Sequence, residues 1–408
     1  MIHLAIVEQE SRMGGVEYST LALATTLDRD IYAPIIIAPE HGPLIEHCRM
    51  AGIPTLIASR PRFRPTSFRV AGHTLADPLA MLANPARLLR AADNLYQVLR
   101  ACSPGLVLTK GLLAHFYGGI AARRAGAVCI WHVQDEVPAQ RAGGCYLHGL
   151  QLAARLLADT VIGDSVSIAA QFPNHPRVYA IHNGIDTAEY APETTPGTLR
   201  RDLGIPNGAM LIGNLARLTD WKGQHVLIEA FSQVASAFPM AHLVLIGSPL
   251  FDNDGYERRL RQIAASGAAP ERVHFAGYRT DTAASLACLD IYAHPSVRKD
   301  TAPLALLSAL ASGLPTVISD VAGMLEVVDP GTSALVVPVG DVSALSHALR
   351  TMLSLSTLCE RLSAAARASA ISRFSIQAHT RQMSALFDRA IARRMGTGVR
   401  HVEVDSVV

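Results

Sequence analysis

Asp290-Ile291-Tyr292-Ala293-His294-Pro295-Ser296, then Asp300-Thr301-Ala302-Pro303, then the apolar run Leu304 to Ala311: this stretch decides the fold class. It reads as a strand entering a loop, followed by a helix entry. Ser312-Gly313 ends the helix, and Pro315-Thr316-Val317-Ile318 is the next strand. Proline suits the first turn of a helix because no intrahelical N–H is lost there, and glycine suits the left-handed exit. Strand, helix, strand is the building unit of a parallel sheet. A helix that is apolar almost all round is buried, and its N-terminus turns free N–H groups and partial positive charge toward the preceding loop. That geometry suits an anion. It is equally the ordinary geometry of any parallel α/β unit.

Working outward, the first half alternates helical stretches with β-type runs at Ile2 to Val7, Pro34 to Ala38, Pro54 to Ile57, Leu106 to Thr109, Val128 to Trp131, Thr160 to Ile162 and Val178 to Ile181. Most are continuous apolar runs, as parallel strands covered on both faces require. Pro85 to Ala101 carries Leu88, Leu89, Ala92, Leu95 and Leu99 at helical spacing, with Arg87, Arg90, Asp93 and Arg100 opposite, and reads as an amphipathic helix over the sheet. The turn His182-Asn183-Gly184-Ile185-Asp186 leads into Ala191-Pro192-Glu193-Thr194-Thr195-Pro196-Gly197, whose composition is that of a linker. A second series follows, with strands near Met210 to Asn214, Leu243 to Ile246, Val273 to Phe275, Ile291 to His294, Thr316 to Ser319 and Leu335 to Val337. From Ser343 the chain reads helical, and Phe374, Met383, Leu386, Phe387 and Ile391 give the last helix an apolar face. The expected organisation is a first domain over 1–190, a second over 191–372, a last helix over 373–395 packing back on the first domain, and a tail over 396–408. Open parallel sheets bind ligands at strand carboxyl ends, so two such domains imply a cleft.

Composition sets the bounds. At 408 residues, half of them hydrophobic and 17% charged, the chain can fill two cores. A formal charge of +2 gives no global attraction to nucleic acid or membrane, so any anionic partner is held locally. The cysteines Cys48, Cys102, Cys129, Cys145, Cys288 and Cys359 are scattered without metal-type spacing and read as reduced cytosolic thiols. The chain opens directly on a strand, and its longest apolar run, near 302–318, is broken by Gly313 and Pro315 short of the ~20 residues of a membrane span. The expectation is a protein that is soluble or lies on a membrane.

Only Lys110, Lys222 and Lys299 are lysines, against a large excess of arginine. A lysine retained in such a chain marks a place that wants a compact ammonium rather than a planar fork. The basic, proline-punctuated segment from Ser59 to Arg69, with Arg60, Arg62, Phe63, Arg64, Phe68 and Arg69, reads either as a mobile loop touching anionic headgroups or an anionic acceptor, or as a solvated loop. It is too short and isolated to argue for nucleic acid.

Chemistry appears in Gly213-Asn214-Leu215-Ala216-Arg217-Leu218-Thr219-Asp220-Trp221-Lys222-Gly223-Gln224, just after the first strand of the second series. Two cations five residues apart in a strand-to-helix loop suit a diphosphate. They are also compatible with two solvated side chains.

Arg217-Leu218-Thr219-Asp220-Trp221-Lys222-Gly223 resembles the R-L-x-x-x-K-G signature of the retaining glycosyltransferases of family 4. Further pieces fall in that family's order: Gly14-Gly15-Val16-Glu17, Asn183-Gly184-Ile185-Asp186, Leu245-Ile246-Gly247, His294-Pro295-Ser296 with the helix to Pro315, and Ala322-Gly323-Met324-Leu325-Glu326. Singly they are unspecific; together they span Ile2 to about Phe387. The resemblance implies an α/β GT-B fold, two Rossmann-like domains with parallel sheets facing across a donor/acceptor cleft. It implies a nucleotide-diphosphate-sugar donor on the second domain and a glycan or lipid-linked acceptor on the first. Arg217 and Lys222 then neutralise the diphosphate as leaving group, with no metal and no cofactor. Gly247 lies near the base, and Gly14 and Gly15 allow backbone approach to phosphates or sugar. Asp300 stands near the donor sugar, and Thr301, Ala302, Pro303, Leu304 and Ser308 line the sugar-and-ribose wall. His132, in Trp131-His132-Val133-Gln134-Asp135, matches a histidine that the family places near the transferred sugar. His115 has weaker context and reads as structural.

Two positions depart from the pattern, which has glutamates eight residues apart where this chain has Asp300 and Ser308. Aspartate keeps the charge on a shorter stem. Serine replaces a charged acceptor of ribose hydroxyls by a neutral one, and hydrogen bonds to charged groups contribute roughly 1.5–3 kcal/mol against about 1 for neutral ones. Asp252-Asn253-Asp254 looks like the D-x-D of the other large glycosyltransferase fold or the start of a calcium loop, but the residues that follow lack the later ligands, so it reads as a polar turn. The reading is a retaining, metal-independent hexosyltransferase of polysaccharide or glycolipid biosynthesis, cytoplasmic or peripheral at the inner membrane face. The competing readings are a catalytically reduced binding partner of an active transferase, suggested by Ser308, and a sugar-nucleotide epimerase on the same fold.

Overall fold

In a computed structural model of the chain, the described residues are 1–65, 67–70, 73–137, 145–249, 254–298, 300–301 and 303–396. They form two units, one of Met1–His182 with the segment from His379 onward, the other of Asn183–Ala378.

The first unit has a parallel sheet of β1 (Ile2–Glu8), β2 (Tyr32–Ala38), β3 (Thr55–Ile57), then, beyond the pair β4 (Ser67–Val70) and β5 (His73–Ala76), β6 (Leu106–Lys110), β7 (Val128–Val133), β8 (Thr160–Gly163) and β9 (Val178–Ala180). Its order is β3-β2-β1-β6-β7-β8-β9. β4 and β5 pair antiparallel as a separate hairpin, which the basic, proline-broken sequence there does not announce. Helices cover both faces, so Leu4, Ile6, Leu108 and Ile130 meet one apolar layer and Ala5, Val7, Val107 and Trp131 the other. The helix Pro78–Cys102 starts earlier than Pro85 because Asp77 caps it, accepting from Ala80 N at 3.0 Å, and Pro85 is carried inside.

The second unit has a parallel sheet of β10 (Met210–Leu215), β11 (Ala241–Ile246), β12 (Val273–Gly277), β13 (Ile291–His294), β14 (Thr316–Ser319) and β15 (Leu335–Val337), in the order β12-β11-β10-β13-β14-β15. The deciding stretch is the centre of this sheet. Asp290 fixes where β13 begins by accepting from Leu211 N and from Arg200, both at 2.7 Å. The helix Leu304–Ala311 follows, with Leu306, Leu307, Ala309, Leu310 and Ala311 fully buried.

The division between units falls before the stretch read as a linker. Ile185 belongs to the second core, its N–H bonding Phe374 O at 2.8 Å and its carbonyl accepting from Ile376 N at 2.7 Å. Residues 187–197 are likewise stapled down: Arg367 donates to Thr187 O and Tyr190 O, and Gly197 N to Ala284 O. The helix Ile376–Arg394 passes out of the second unit, and from His379 its residues complete the first. Met383, Leu386 and Phe387 fill the core beside Leu23 and Tyr32, with Phe387 edge-on to Tyr32 at 5.9 Å between ring centroids. The tail beyond 396 lies outside the described residues.

Phe387 is fully buried, so Phe387→Ala leaves a cavity in the first unit that should cost about 3–5 kcal/mol. Trp131, in that unit, reports on it once Trp221 is replaced by Phe. Denaturant unfolding followed by Trp131 fluorescence should shift to a markedly lower midpoint, and an unchanged midpoint would mean that the last helix does not complete this core.

Candidate functional site

The second unit brings two loops together at the carboxyl ends of β10 and β13. After β10 the chain turns through the short 3-10 helix Asp220–Lys222 into the helix Gln224–Ala235. Gly223, between them, has φ +71°, and a Cβ there would stand 1.9 Å from Pro295 O. Only glycine admits that approach. Val297 N closes the seam, donating to Trp221 O at 2.8 Å.

This stitching carries Lys222 to Asp300, 78 residues later: Nζ donates to Oδ2 at 2.6 Å, and both side chains are nearly buried. The same carboxylate oxygen accepts from Ser296 Oγ at 2.7 Å and meets His294 Nε2 at 2.9 Å. Burial by itself would raise the Asp300 carboxyl, but the Lys222 ammonium and the His294 hydrogen bond outweigh it and hold the group well below the usual carboxylate range. Burial lowers His294, which is therefore neutral, donating from Nε2 to Asp300 and accepting at Nδ1 from the Tyr292 hydroxyl at 2.9 Å. Asp300 is thus the anionic hub of a dry network, and Lys222 a compact cation with a fixed position. The ammonium also stands 4.4 Å from the centre of the Trp221 ring.

The other expected residues fall into three groups. Arg217 is exposed on the same loop, and its carbonyl accepts from Gln224 Nε2 at 2.9 Å. Gly247 follows β11 with φ +144°, and a Cβ would come 2.1 Å from Ala216 O, so the chain's own backbone already demands glycine there. Thr301, Pro303 and Leu304 form the helix entry, Pro303 O accepting from Leu306 N and Leu307 N. Ser308 is buried on that helix and faces the Tyr190 hydroxyl, which also bonds Thr282 at 2.7 Å. Ala302, and Asp252 and Asn253 of the polar turn, lie outside the described residues.

Gly14, Gly15 and His132 belong to the first unit. Gly14 precedes the helix Gly15–Thr26, and His132 lies near the end of β7. His132 is fully buried, held neutral by burial and then by Lys110, and its two ring nitrogens have no hydrogen-bond partner among the described residues. His115 is structural, stacked on Trp131 at 4.9 Å and bonded to Thr109 Oγ1.

Sequence reasoning missed what lies beside His132. Strand register aligns Glu8 with Lys110 and Lys110 with His132, a row of three buried ionisable side chains across β1, β6 and β7. Lys110 Nζ donates to Ser19 Oγ at 2.7 Å and to Val16 O at 3.5 Å, fastening the first turns of the helix after Gly14. Thr20 Oγ1 donates to Glu8 Oε1. Burial pushes Glu8 up and Lys110 down, each partly offset by the other's charge. The scarcity of lysine was the available signal, since Lys110 and Lys222 both sit buried beside carboxylates.

Comparison with known proteins agrees with this architecture. The family model for glycosyl transferases group 1 matches residues 197–369, and that for glycosyltransferase family 4 matches residues 13–189. A GDP-mannose-dependent alpha-mannosyltransferase of Mycobacterium tuberculosis is 27% identical, covering 83% of this chain and 85% of its own. An Escherichia coli UDP-Gal:alpha-D-GlcNAc-diphosphoundecaprenol alpha-1,3-galactosyltransferase is 22% identical over 85% and 87%. The crystal structure of Anabaena HepE with UDP-glucose superposes with TM-score 0.80 at 23% identity, covering 95% of this chain and all of that one.

Removing one partner of a buried ion pair leaves the other charge uncompensated, so Asp300→Ala should destabilise the second unit by about 3–5 kcal/mol, with part recovered in Lys222→Met/Asp300→Ala. Asp300 has a folded pKa below its unfolded one. Its contribution is therefore present above about pH 4 and lost as pH falls from there toward the folded value. Unfolding curves of wild type and Asp300→Asn across that range should converge in acid; a gap independent of pH would deny the carboxylate this role.

Proposed function

The chain belongs to the group 1 and family 4 glycosyltransferases of GT-B fold, and from that premise we propose that it is a retaining hexosyltransferase acting on a glycan or lipid-linked acceptor at the cytoplasmic membrane face. The observation that carries this reading is the Lys222–Asp300 pair, a buried ammonium preset where two strand ends and two loops converge. When the bond from the sugar to the β-phosphate breaks, negative charge grows on the departing nucleoside diphosphate. A cation already fixed in place stabilises that charge without reorganising. Arg217, exposed five residues earlier, adds a planar fork for phosphate oxygens. With two side-chain cations supplying the field, the transfer needs no metal and no cofactor.

Asp300 orients Lys222 and stands near the donor sugar, and Thr301 to Leu304 with Gly247 shape the nucleotide side. Ser308 hydrogen-bonds the ribose more weakly than a carboxylate does. For the first unit by itself, the proposal gives His132, whose ring nitrogens have no hydrogen-bond partner among the described residues, hydrogen bonds to sugar hydroxyls, and gives Gly14 and Gly15 close backbone approach to a ligand. Relatives that use GDP-mannose and UDP-galactose support a nucleoside diphosphate hexose as donor, and the diphosphoundecaprenol acceptor of one of them supports a lipid-linked acceptor here.

Purified protein offered UDP-, GDP- and dTDP-hexoses, with membrane extract as acceptor source, should transfer or slowly hydrolyse at least one of them, and chelators should not inhibit. Lys222→Met should lower kcat by about 100-fold or more, on the scale of a lost transition-state donor. Silence on every donor, or full activity in Lys222→Met, would overturn the reading.

A further inference from the structure

The helix Pro78–Cys102 is built inside out over its first three turns. Its outward positions there are Pro78, Leu79, Met81, Leu82, Pro85, Ala86 and Leu89, all apolar, and only from Arg90 onward do exposed positions turn polar, with Asp93, Asn94 and Gln97. Leu79 is 68% exposed, Met81 57%, Leu82 78% and Leu89 56%. Single exposed leucines are ordinary, but four large apolar side chains along one surface helix leave a patch that water does not favour.

Residues 59–64 of the basic segment lie beside this face and are hydrogen-bonded to it. Asn94 Nδ2 donates to Ser59 O at 2.8 Å, and Asn84 bonds both the N–H and the carbonyl of Arg64, at 3.2 and 2.9 Å. The loop is therefore pinned between helix positions 84 and 94. Arg60 is used up internally, donating to Gln9 O and to Glu10 at 3.1 Å, so among the described side chains of the loop the cations left to solvent are Arg62 and Arg64, joined by Arg90 on the helix. Residues 59–93 hold the six arginines Arg60, Arg62, Arg64, Arg69, Arg87 and Arg90 against two acids, Asp77, which is engaged as the helix cap, and Asp93, which pairs with Arg124.

We propose that this face docks the chain on an anionic lipid bilayer, Leu79, Met81, Leu82 and Leu89 entering the acyl boundary while Arg62, Arg64 and Arg90 meet the headgroups. An apolar stripe flanked by exposed arginines is complementary to a surface that is anionic outside and apolar within. A hydrophobic protein partner would not call for the cations, and a free anionic ligand would not call for the leucines. The proposal deepens the lipid-linked acceptor reading, but vesicle binding is measured without sugar transfer, so either can fail while the other stands.

The full chain is floated with vesicles of phosphatidylcholine alone and of phosphatidylcholine mixed with phosphatidylglycerol. Wild type should partition onto the mixed vesicles, less so at high salt. Leu79→Gln/Leu82→Gln/Leu89→Gln, which keeps good helix formers at exposed positions, should lose roughly tenfold or more in partitioning. Arg62→Ser/Arg64→Ser should lose on the order of tenfold on the anionic vesicles only. Both variants should melt as wild type does, since the replaced side chains are exposed. Wild type remaining in solution with both vesicle types, or variants partitioning as wild type does, would overturn the proposal. So would a dimer in solution that the leucine substitutions abolish, which would give the face to a second copy of the chain.

Discussion

A parallel sheet covered on both faces has no interior place for an unpaired charge, and both units of this protein are organised by that constraint. Through the middles of β1, β6, β7, β10 and β13 the side chains are buried and apolar, and polar or charged side chains enter this buried zone at the carboxyl ends. There the backbone opens into loops and charge is admitted, but only in compensated sets. Lys222 meets Asp300, and Lys110 lies between Glu8 and the hydroxyl of Ser19. The chemistry stands at strand ends because the packing excludes it elsewhere.

How much of this could be read in advance follows from the range of each interaction. Most strands of both sheets are largely apolar runs, a local signal, and all those expected are present. Boundaries that depend on distant partners were not local. Ile185 joins the second unit through bonds to Phe374 and Ile376, which no reading of residues 183–197 contains. The site was legible in part for the same reason. Arg217 and Lys222 share one short segment, but that Lys222 turns inward to Asp300 depends on a carbonyl, Pro295 O, that admits only a glycine opposite. Ser296 and His294 were visible as residues without a task, because their task is to bond a carboxylate whose position the loop sets.

The retained lysines make a related point about side-chain shape. Arginine serves at the exposed and half-buried positions of this chain, where its fork can meet solvent, a carboxylate or backbone carbonyls. At the two described lysines the space is nearly closed, and the ammonium is set between an anion and a ring or a hydroxyl. A guanidinium would need a larger, flatter hole there than the packing leaves.

The path of the chain also orders its birth on the ribosome. The second unit is one contiguous stretch, Asn183–Ala378, so all of its core is synthesised before the first unit's last core residues. The first unit's other core residues precede Asn183, yet it lacks Met383, Leu386 and Phe387 until the chain has passed the whole second unit. The half that starts first is therefore the half that finishes last. Until then Leu23 and Tyr32 lack the apolar cover that Met383, Leu386 and Phe387 give them, and uncovered apolar surface is what makes partly folded chains prone to aggregate.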